Sequence, residues 1–310
     1  MVTGGAGFIG ANLCIRLASV DEVSEVIAYD DLSTGKRSNL DSASEKVRFV
    51  EGSVLDPALI GRRFDGAAAI VHLAARPSVP RSIEDPIASH RVNVDGTMNV
   101  LEFARAATTA PHVIFASSSS VYGSNPELPK HEGLSTRPRS PYAASKLAGE
   151  AYTLAYQDSF GIPVLPFRFF NVYGPLQAPG HAYAAVVPAF LHAALNDAAV
   201  TVHGDGEQTR DFTHVDTVTS VIVDAVLRQV TSDLPVNLAF GTRHSLLGVL
   251  ELLEELLDRP VEREHVSSRQ GDVRDSQASS DLLRSMFQDI DPIGLHDGLM
   301  STLAWMRSIV

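Results

Sequence analysis

Gly4-Gly5-Ala6-Gly7-Phe8-Ile9-Gly10 follows the short apolar run Met1-Val2-Thr3 and opens the helical stretch Phe8-Ile9-Gly10-Ala11-Asn12-Leu13-Cys14. Glycines at these positions permit a tight strand-to-helix turn and let the backbone approach a pyrophosphate, whose charge the helix N-terminus then stabilises. A glycine turn alone is weak evidence, since an ordinary βα turn reads the same way. Its context points to a ligand. Asp30 stands 20 residues after Gly10, at the end of the next apolar run Val26-Ile27-Ala28-Tyr29, where a carboxylate can bind the diol of an adenosine ribose. Such a carboxylate repels a 2′-phosphate, which favours NAD over NADP, although Lys36 and Arg37 could neutralise one. The run before the turn is shorter than the roughly five or six residues of a central strand, as expected where the natural start lies further upstream.

Outward from this turn, short β-branched runs alternate with longer stretches of helical period through the first 170 residues. Val47-Arg48-Phe49-Val50, Ala69-Ile70-Val71-His72, Val113-Ile114-Phe115-Ala116 and Val164-Leu165-Pro166-Phe167 read as further strands. Helices are expected over about 8–19, 84–107 and 141–160. The alternation predicts an α/β fold, a Rossmann-type doubly wound parallel sheet with right-handed crossovers. Beyond about residue 171 the pattern loosens, with a Pro/Gly stretch from Gly174 to Gly180, a loop at His203-Gly204-Asp205-Gly206 and a helix over about 245–258. We therefore expect an NAD-binding domain of 1–170 plus about 207–240, and a smaller C-terminal substrate lobe of about 171–206 and 241–310. The leucine-dense run Leu246 to Leu257 covers barely two heptads and stops before Pro260, which favours a buried helix over a coiled coil.

The 310 residues carry 25 Lys and Arg against 37 Asp and Glu, a net charge of −12, and 45% are hydrophobic. A sizeable core can be buried, and an acidic chain offers no long-range attraction to nucleic acid or an anionic bilayer. Neither partner is expected. No apolar run is long enough to span a membrane, and the N-terminus lacks the pattern of a signal peptide. The single Cys14 allows neither an internal disulfide nor a thiolate zinc cluster, so a cytoplasmic protein fits best. On the apolar face of the first helix it reads as core rather than nucleophile. The 11 histidines show no metal-ligand spacing, so no metal site is expected, and His72 in its apolar strand reads as a packed imidazole.

Tyr142-Ala143-Ala144-Ser145-Lys146 sets a phenol and an ammonium four residues apart, on one face of a helix that begins near Pro141. A nearby cation favours the phenolate and draws a tyrosine pKa from about 10 towards neutrality, as a general base for an alcohol requires. Ser118, in the run Ser117-Ser118-Ser119-Ser120, can present a second hydroxyl to the same oxygen. The Tyr and Lys spacing alone is common on helix surfaces. Joined in order to the glycine turn and the serine-bearing strand end, it is specific.

With these residues the chain resembles the extended short-chain dehydrogenases/reductases, and within them the NAD-dependent UDP-hexose 4-epimerases. The resemblance is carried by Thr3 to Gly10, His72-Leu73-Ala74-Ala75, Ser117 to Gly123, Ser140 to Lys146 and Arg168 to Pro175. Gly204 to Phe212 and Arg269-Gln270-Gly271-Asp272 extend it over nearly the whole chain. It implies that Ser118, Tyr142 and Lys146 are catalytic: Tyr142 takes the proton of the sugar 4-hydroxyl, NAD accepts the C4 hydride, and Lys146 binds the nicotinamide ribose and depresses the tyrosine pKa. The 4-keto sugar then swings about its bond to the pyrophosphate and recovers the hydride on its other face, so NAD is retained. The implied cofactor-binding set is Gly4, Gly7, Phe8, Ile9, Gly10, Asp30, Asp31, Ser53, Val54, Leu73, Ala74 and Ala75 with Tyr142 and Lys146. The implied substrate-binding set is Ser118, Ser119, Ser120, Tyr142, Asn171, Val187, Val202, Arg210, Arg269, Asp272 and Ser276.

The chain also departs from its relatives. Gly52-Ser53-Val54 stands where many carry an Asp for adenine, and Pro77 replaces a lysine of glucose-type epimerases. Relatives that are 4,6-dehydratases place Asp-Glu directly after the catalytic hydroxyl, where this chain has Ser119-Ser120. Elimination thus lacks its acid. Decarboxylases, whose relatives have a Glu in that segment, and non-catalytic dinucleotide sensors, which lose the tyrosine or lysine, fit less well. Ser276 matches a pocket position that is a bulky tyrosine in relatives restricted to UDP-glucose and UDP-galactose, and Ala182 to Pro188 also resembles the N-acetyl-hexosamine epimerases. UDP-GlcNAc/UDP-GalNAc and UDP-Glc/UDP-Gal are the expected substrates. UDP-glucuronate is the alternative, since Arg81 or His181 could meet its carboxylate. Surplus small apolar residues, including Ala143, Ala148, Ala151 and Ala155, match the helix pairing of the family's homodimers.

Overall fold

The structure, a computed structural model, describes residues 1–63, 66–179, 185–267 and 274–309. It groups into two compact units, one of Met1–Asn125, Glu132–Phe169 and Thr219–Asn237, the other of Pro126–His131, Phe170–Val218 and Leu238–Val310.

The first unit is built on seven strands: β1 (Val2–Thr3), β2 (Val26–Asp30), β3 (Val47–Glu51), β4 (Ala69–His72), β5 (His112–Ser118), β6 (Val164–Phe169) and β7 (Val236–Leu238). They lie in the order β7-β6-β5-β4-β1-β2-β3, and β1 to β6 pair in parallel. From β1 the chain steps outward to β2 and β3, then returns to build β4, β5 and β6 on the other side of β1. The expected doubly wound sheet is therefore present, and its order reverses between β1 and β4. Beyond the carboxyl ends of strands at such a reversal, ligands bind. Every residue of β2 and of β6 is buried, which is why these strands read as continuous runs rather than alternations.

The helices of this unit are α1 (Phe8–Ala18), α2 (Pro57–Arg63), α3 (Val79–Glu84), α4 (Pro86–His90), α5 (Gly96–Ala106) and α6 (Pro141–Phe160). The helix expected over 84–107 is not continuous. Pro86 has no N–H to carry a helix through it and instead starts α4, capped by Asp85, whose Oδ1 accepts from the Ala88 N–H at 3.0 Å. A π-type turn, Arg91–Asp95, then separates α4 from α5. α6 matches its expected range. Ser140 Oγ caps its start by accepting from the Ala143 N–H at 3.1 Å, Pro141 fills the first position, and left-handed Gly161 ends it. Its buried face runs through Ala143, Lys146, Gly149, Glu150, Thr153 and Tyr156 at helical spacing.

In the second unit, Val187, Phe190 and Leu191 of the helix Val186–Leu195 pack with Val249, Leu250 and Leu253 of the helix Leu246–Leu257 and with Leu299, Leu303 and Met306 of the helix Leu295–Arg307. The leucine-dense run is thus a buried helix, capped by Ser245 and ended by left-handed Asp258. Three short strand pairs complete the unit: Asn171–Tyr173 with Phe212–His214, Thr209–Arg210 with His244–Ser245, and Val200–His203 with Arg263–Val266.

Candidate active site

The chain leaves β1 through Gly4, whose φ of +69° suits glycine and whose added Cβ would stand 2.8 Å from the Ala74 nitrogen. A Cβ at Gly10 would overlap the Gly4 carbonyl oxygen, so α1 can start this close to the turn only with glycine there. Gly7 is the N-cap of α1 and supplies no capping side chain, which keeps the helix N-terminus open to an anion. Phe8, Ile9 and Gly10 form its first turn.

Asp30 ends β2 and is buried. Its Oδ2 accepts from the Ala6 N–H at 3.0 Å and its Oδ1 from the Leu32 N–H at 2.8 Å. Burial pushes its pKa up, against those backbone hydrogen bonds. Two carboxylate oxygens offer about four acceptor sites, so the group that shapes the glycine turn retains capacity for a ribose diol. Arg37 lies over the Phe49 ring, 5.3 Å from its centroid, an engagement that competes with neutralising a 2′-phosphate. Asp31 is exposed and Ser53 Oγ accepts from the Leu55 N–H at 3.3 Å, while Val54 is buried with its carbonyl held by Asn99 Nδ2 at 2.9 Å. The open glycine cradle, the uncapped helix start and the part-used carboxylate fit NAD.

Leu73, Ala74 and Ala75 continue β4 towards the turn, and a small network fixes their register. Thr97 Oγ1 donates to the Asn93 carbonyl at 2.7 Å, so it accepts from His72 Nε2 at 3.0 Å, which places the ring proton on Nε2. His72 Nδ1 then accepts from Thr3 Oγ1 at 2.7 Å, and Thr3 Oγ1 accepts the Ala74 N–H at 3.2 Å. Burial, helped by the charge of Lys146, pushes the His72 pKa down to about 3, so the imidazole is neutral. The packed imidazole expected from sequence joins β1, β4 and α5.

Ser118 closes β5, and its hydroxyl lies near enough to Tyr142 to favour the phenolate. Its Oγ accepts from Ser120 Oγ at 2.9 Å and from the Ser120 N–H at 3.2 Å, so Ser120, expected to meet substrate, orients Ser118. Burial pushes the Tyr142 phenol up, opposed by the Ser118 hydroxyl. This is opposite to the lowering expected from Lys146. The reason is geometric as well as dielectric: Lys146 Nζ donates to the Ala116 carbonyl at 2.8 Å, and burial draws its own pKa down to about 8. Sequence reading missed Asn93 in the π-type turn, whose Nδ2 donates to Ser145 Oγ at 2.9 Å and whose Oδ1 accepts from the Arg76 N–H at 2.7 Å. Helical periodicity gives no signal for such a turn.

In the second unit, Asn171 Nδ2 donates to the Asp211 carbonyl at 3.3 Å, and Arg210 Nη1 donates to the Arg274 carbonyl at 2.9 Å. The Ser276 N–H donates to the Thr209 carbonyl at 3.1 Å. Val187 and Val202, expected at the substrate, have side chains packed into the core of this unit at 1% and 0% exposure, which leaves only their backbones for a ligand. Arg269, Asp272, His181 and Ala182 to Ala184 lie outside the described residues. No helix among the described residues is long and apolar enough to cross a membrane.

Comparison with known proteins agrees with this geometry. Residues 1–239 match the model of the NAD dependent epimerase/dehydratase family. A UDP-glucose 4-epimerase of Mycolicibacterium smegmatis is 35% identical over 99% of this chain and 98% of its own. The UDP-N-acetylglucosamine 4-epimerase of Methanobrevibacter ruminantium, solved with UDP-N-acetylmuramic acid, superposes with a TM-score of 0.94 at 31% identity, covering 100% of this chain and 98% of that one. A UDP-glucuronic acid 4-epimerase of Bacillus cereus, solved with UDP-glucuronic acid and NAD, gives 0.88 at 28% identity, covering 100% and 99%.

Proposed function

Since the chain belongs to the NAD-dependent epimerase/dehydratase family, we propose that it is an NAD-dependent UDP-sugar 4-epimerase, acting on UDP-GlcNAc/UDP-GalNAc and on UDP-Glc/UDP-Gal. The observation that carries this reading is Ser118, oriented by Ser120, close enough to the Tyr142 phenol to draw its pKa down, with the buried Lys146 on the same helix and hydroxyls rather than carboxylates at Ser119 and Ser120. Gly4, Gly7 and Gly10 with the start of α1 would hold the pyrophosphate of NAD, and Asp30 would hold its adenosine ribose. Bound NAD supplies reversible acceptance of the C4 hydride.

Tyr142 receives the proton of the 4-hydroxyl while Ser118 holds the same oxygen, and Tyr142 returns that proton once the 4-keto sugar has turned over. Lys146, whose pKa burial lowers to about 8, would hold the nicotinamide ribose and, one helical turn from Tyr142, favours the phenolate by its charge. Asn171, Arg210, Arg269, Asp272 and Ser276 bind the UDP-sugar. The half-buried Ser276 supports the N-acetylated substrates, because a small side chain leaves room for an acetamido group.

A homodimer belongs to the same proposal. Ile83 and Ile87 are 63% and 64% exposed on α3 and α4, and Ala144, Ala151, Tyr152 and Ala155 are exposed on α6. A cytoplasmic location is supported by the buried, unpaired thiol of Cys14. Separate incubation with UDP-GlcNAc, UDP-glucose and UDP-glucuronate, with 4-epimers resolved by chromatography, tests the function. Interconversion of the first two is expected. Conversion of UDP-glucuronate alone would reassign the substrate to a uronate, and conversion of none would overturn the proposal.

A further inference from the structure

Asp211 is fully buried, and its carboxylate draws on donors from separate parts of the chain. Its Oδ2 accepts from the Gly241 and Ala278 N–H groups, both at 3.1 Å, and its Oδ1 accepts from Thr242 Oγ1 at 2.9 Å. Its backbone carbonyl accepts from the Asn171 N–H at 3.2 Å and from Asn171 Nδ2 at 3.3 Å. Arg210 precedes it, with Nη1 donating to the Thr209 and Arg274 carbonyls, both at 2.9 Å. Ser276 lies two residues before Ala278 and is hung from the Thr209 carbonyl at 3.1 Å. The far side of that segment is strapped by Lys130, whose N–H donates to the Gln277 carbonyl and whose carbonyl accepts from the Ser279 N–H, both at 2.7 Å.

We propose that Asp211 is a positioning residue of the substrate lobe, whose carboxylate and carbonyl together hold Asn171, Arg210 and Ser276 in the arrangement that binds the UDP-sugar. This rests on the reading that those three residues meet the substrate. Burial raises the Asp211 pKa to about 6, and the effects that oppose burial are all hydrogen bonds. A buried charge held by hydrogen bonds alone is costly, and an apolar side chain in its place would strand the Gly241 and Ala278 N–H groups. What only a carboxylate offers is acceptors on both oxygens, which converging N–H and O–H donors require. An amide would turn a donor onto them.

Asp211→Asn and Thr242→Val test the assignment, with UDP affinity read by calorimetry, kcat and KM for UDP-GlcNAc by epimer formation, and bound NAD by absorbance. Asp211→Asn should raise the UDP Kd and the sugar KM about 10- to 100-fold, with NAD content unchanged and kcat at saturation within about 3-fold. Thr242→Val, which keeps the carboxylate but removes one donor, should raise both about 5-fold. A folded Asp211→Asn protein with wild-type UDP affinity, or one losing kcat and NAD at unchanged KM, would overturn the proposal. If Asp211→Asn does not fold, Thr242→Val decides by the same criteria. Failure of the wild type to bind UDP would instead overturn the functional reading, and this inference with it.

Discussion

Glu150 and Arg168 meet inside the first unit as a two-point ion pair: Arg168 Nη2 donates to Glu150 Oε1 at 2.7 Å and Nε donates to Oε2 at 3.0 Å, both side chains being 4% exposed. Glu150 stands one helical turn after Lys146, so the pair fastens the helix bearing Tyr142 and Lys146 to β6. Ser117 Oγ donates to the same carboxylate at 2.6 Å and brings in β5 one residue before Ser118. The Arg168 guanidinium also covers the Tyr122 ring, 4.7 Å from its centroid. One buried carboxylate thus ties together the two elements that carry the hydroxyls of Ser118 and Tyr142, proposed above as catalytic.

Removing one partner leaves the other as a buried charge without its counterion. Arg168→Met should therefore cost about 3–5 kcal/mol of stability, whereas the double variant Glu150→Met, Arg168→Met should recover most of it. Urea denaturation of both proteins checks this. Equal losses in the single and double variants would mean the cost comes from packing rather than from the stranded charge.

Tyr142→Phe keeps the ring and removes the proton acceptor, so turnover should vanish while NAD stays bound. Ser118→Ala removes one hydrogen-bond partner of the reacting oxygen and should cost about 10²-fold in kcat. Because burial holds the phenol above its ordinary pKa, wild-type kcat should climb with pH through the neutral range. Single-turnover rates across that range decide it; near wild-type activity for Tyr142→Phe would sink the mechanism.

His72 predicts a specific acid sensitivity. Its folded pKa, about 3, lies below the ordinary value of 6.5, so between those values the unfolded chain binds more protons and stability falls as pH falls. The slope attributable to this group is at most about 1.4 kcal/mol per pH unit. The comparison is between wild type and His72→Gln, because Asp30 and Asp211, whose pKa values are raised, contribute slopes of opposite sign in both proteins. Denaturation between pH 7 and pH 4.5 should show a shallower loss in the variant, and parallel curves would disprove the role.

The glycine turn, Asp30 and the Tyr142, Lys146 and Ser118 set were legible because each is local: a turn with too little space for a Cβ, a strand end, two residues on one helical face. Networks that join distant segments were not. Nothing in the neighbourhood of Glu150 announces Arg168, and nothing near Asp211 announces Ala278, since a buried polar residue reads like a surface one until its partner is placed. The break at Pro86 was legible in principle, because a proline cannot continue a helix. Val187 and Val202 were named by family position, which does not distinguish a side chain that lines a pocket from one that supports its wall.

The exposed Ile83 and Ile87 with Tyr152 predict an interface between copies of the chain. Ile87→Asp would set a charge inside an apolar contact and should convert a dimer to a monomer without altering the fold. Light scattering at micromolar concentration, with circular dichroism as the control, measures this. A monomeric wild type would end the proposal.

Ser276 is the position from which substrate choice can be argued. Its N–H is held by the Thr209 carbonyl at 3.1 Å, a backbone bond that a change of side chain leaves available. Pocket volume excludes a larger group sharply but rejects a smaller one by only about 1–3 kcal/mol, so UDP-glucose should react about 10- to 100-fold less efficiently than UDP-GlcNAc. Filling the space with an aromatic ring should reverse that preference. Ser276→Tyr is expected to abolish UDP-GlcNAc epimerisation while sparing UDP-galactose, as read from kcat/KM for each substrate. If the two activities fall together, the ring has disturbed the lobe; if neither falls, the side chain does not reach the sugar, and in both cases Ser276 does not set the pocket.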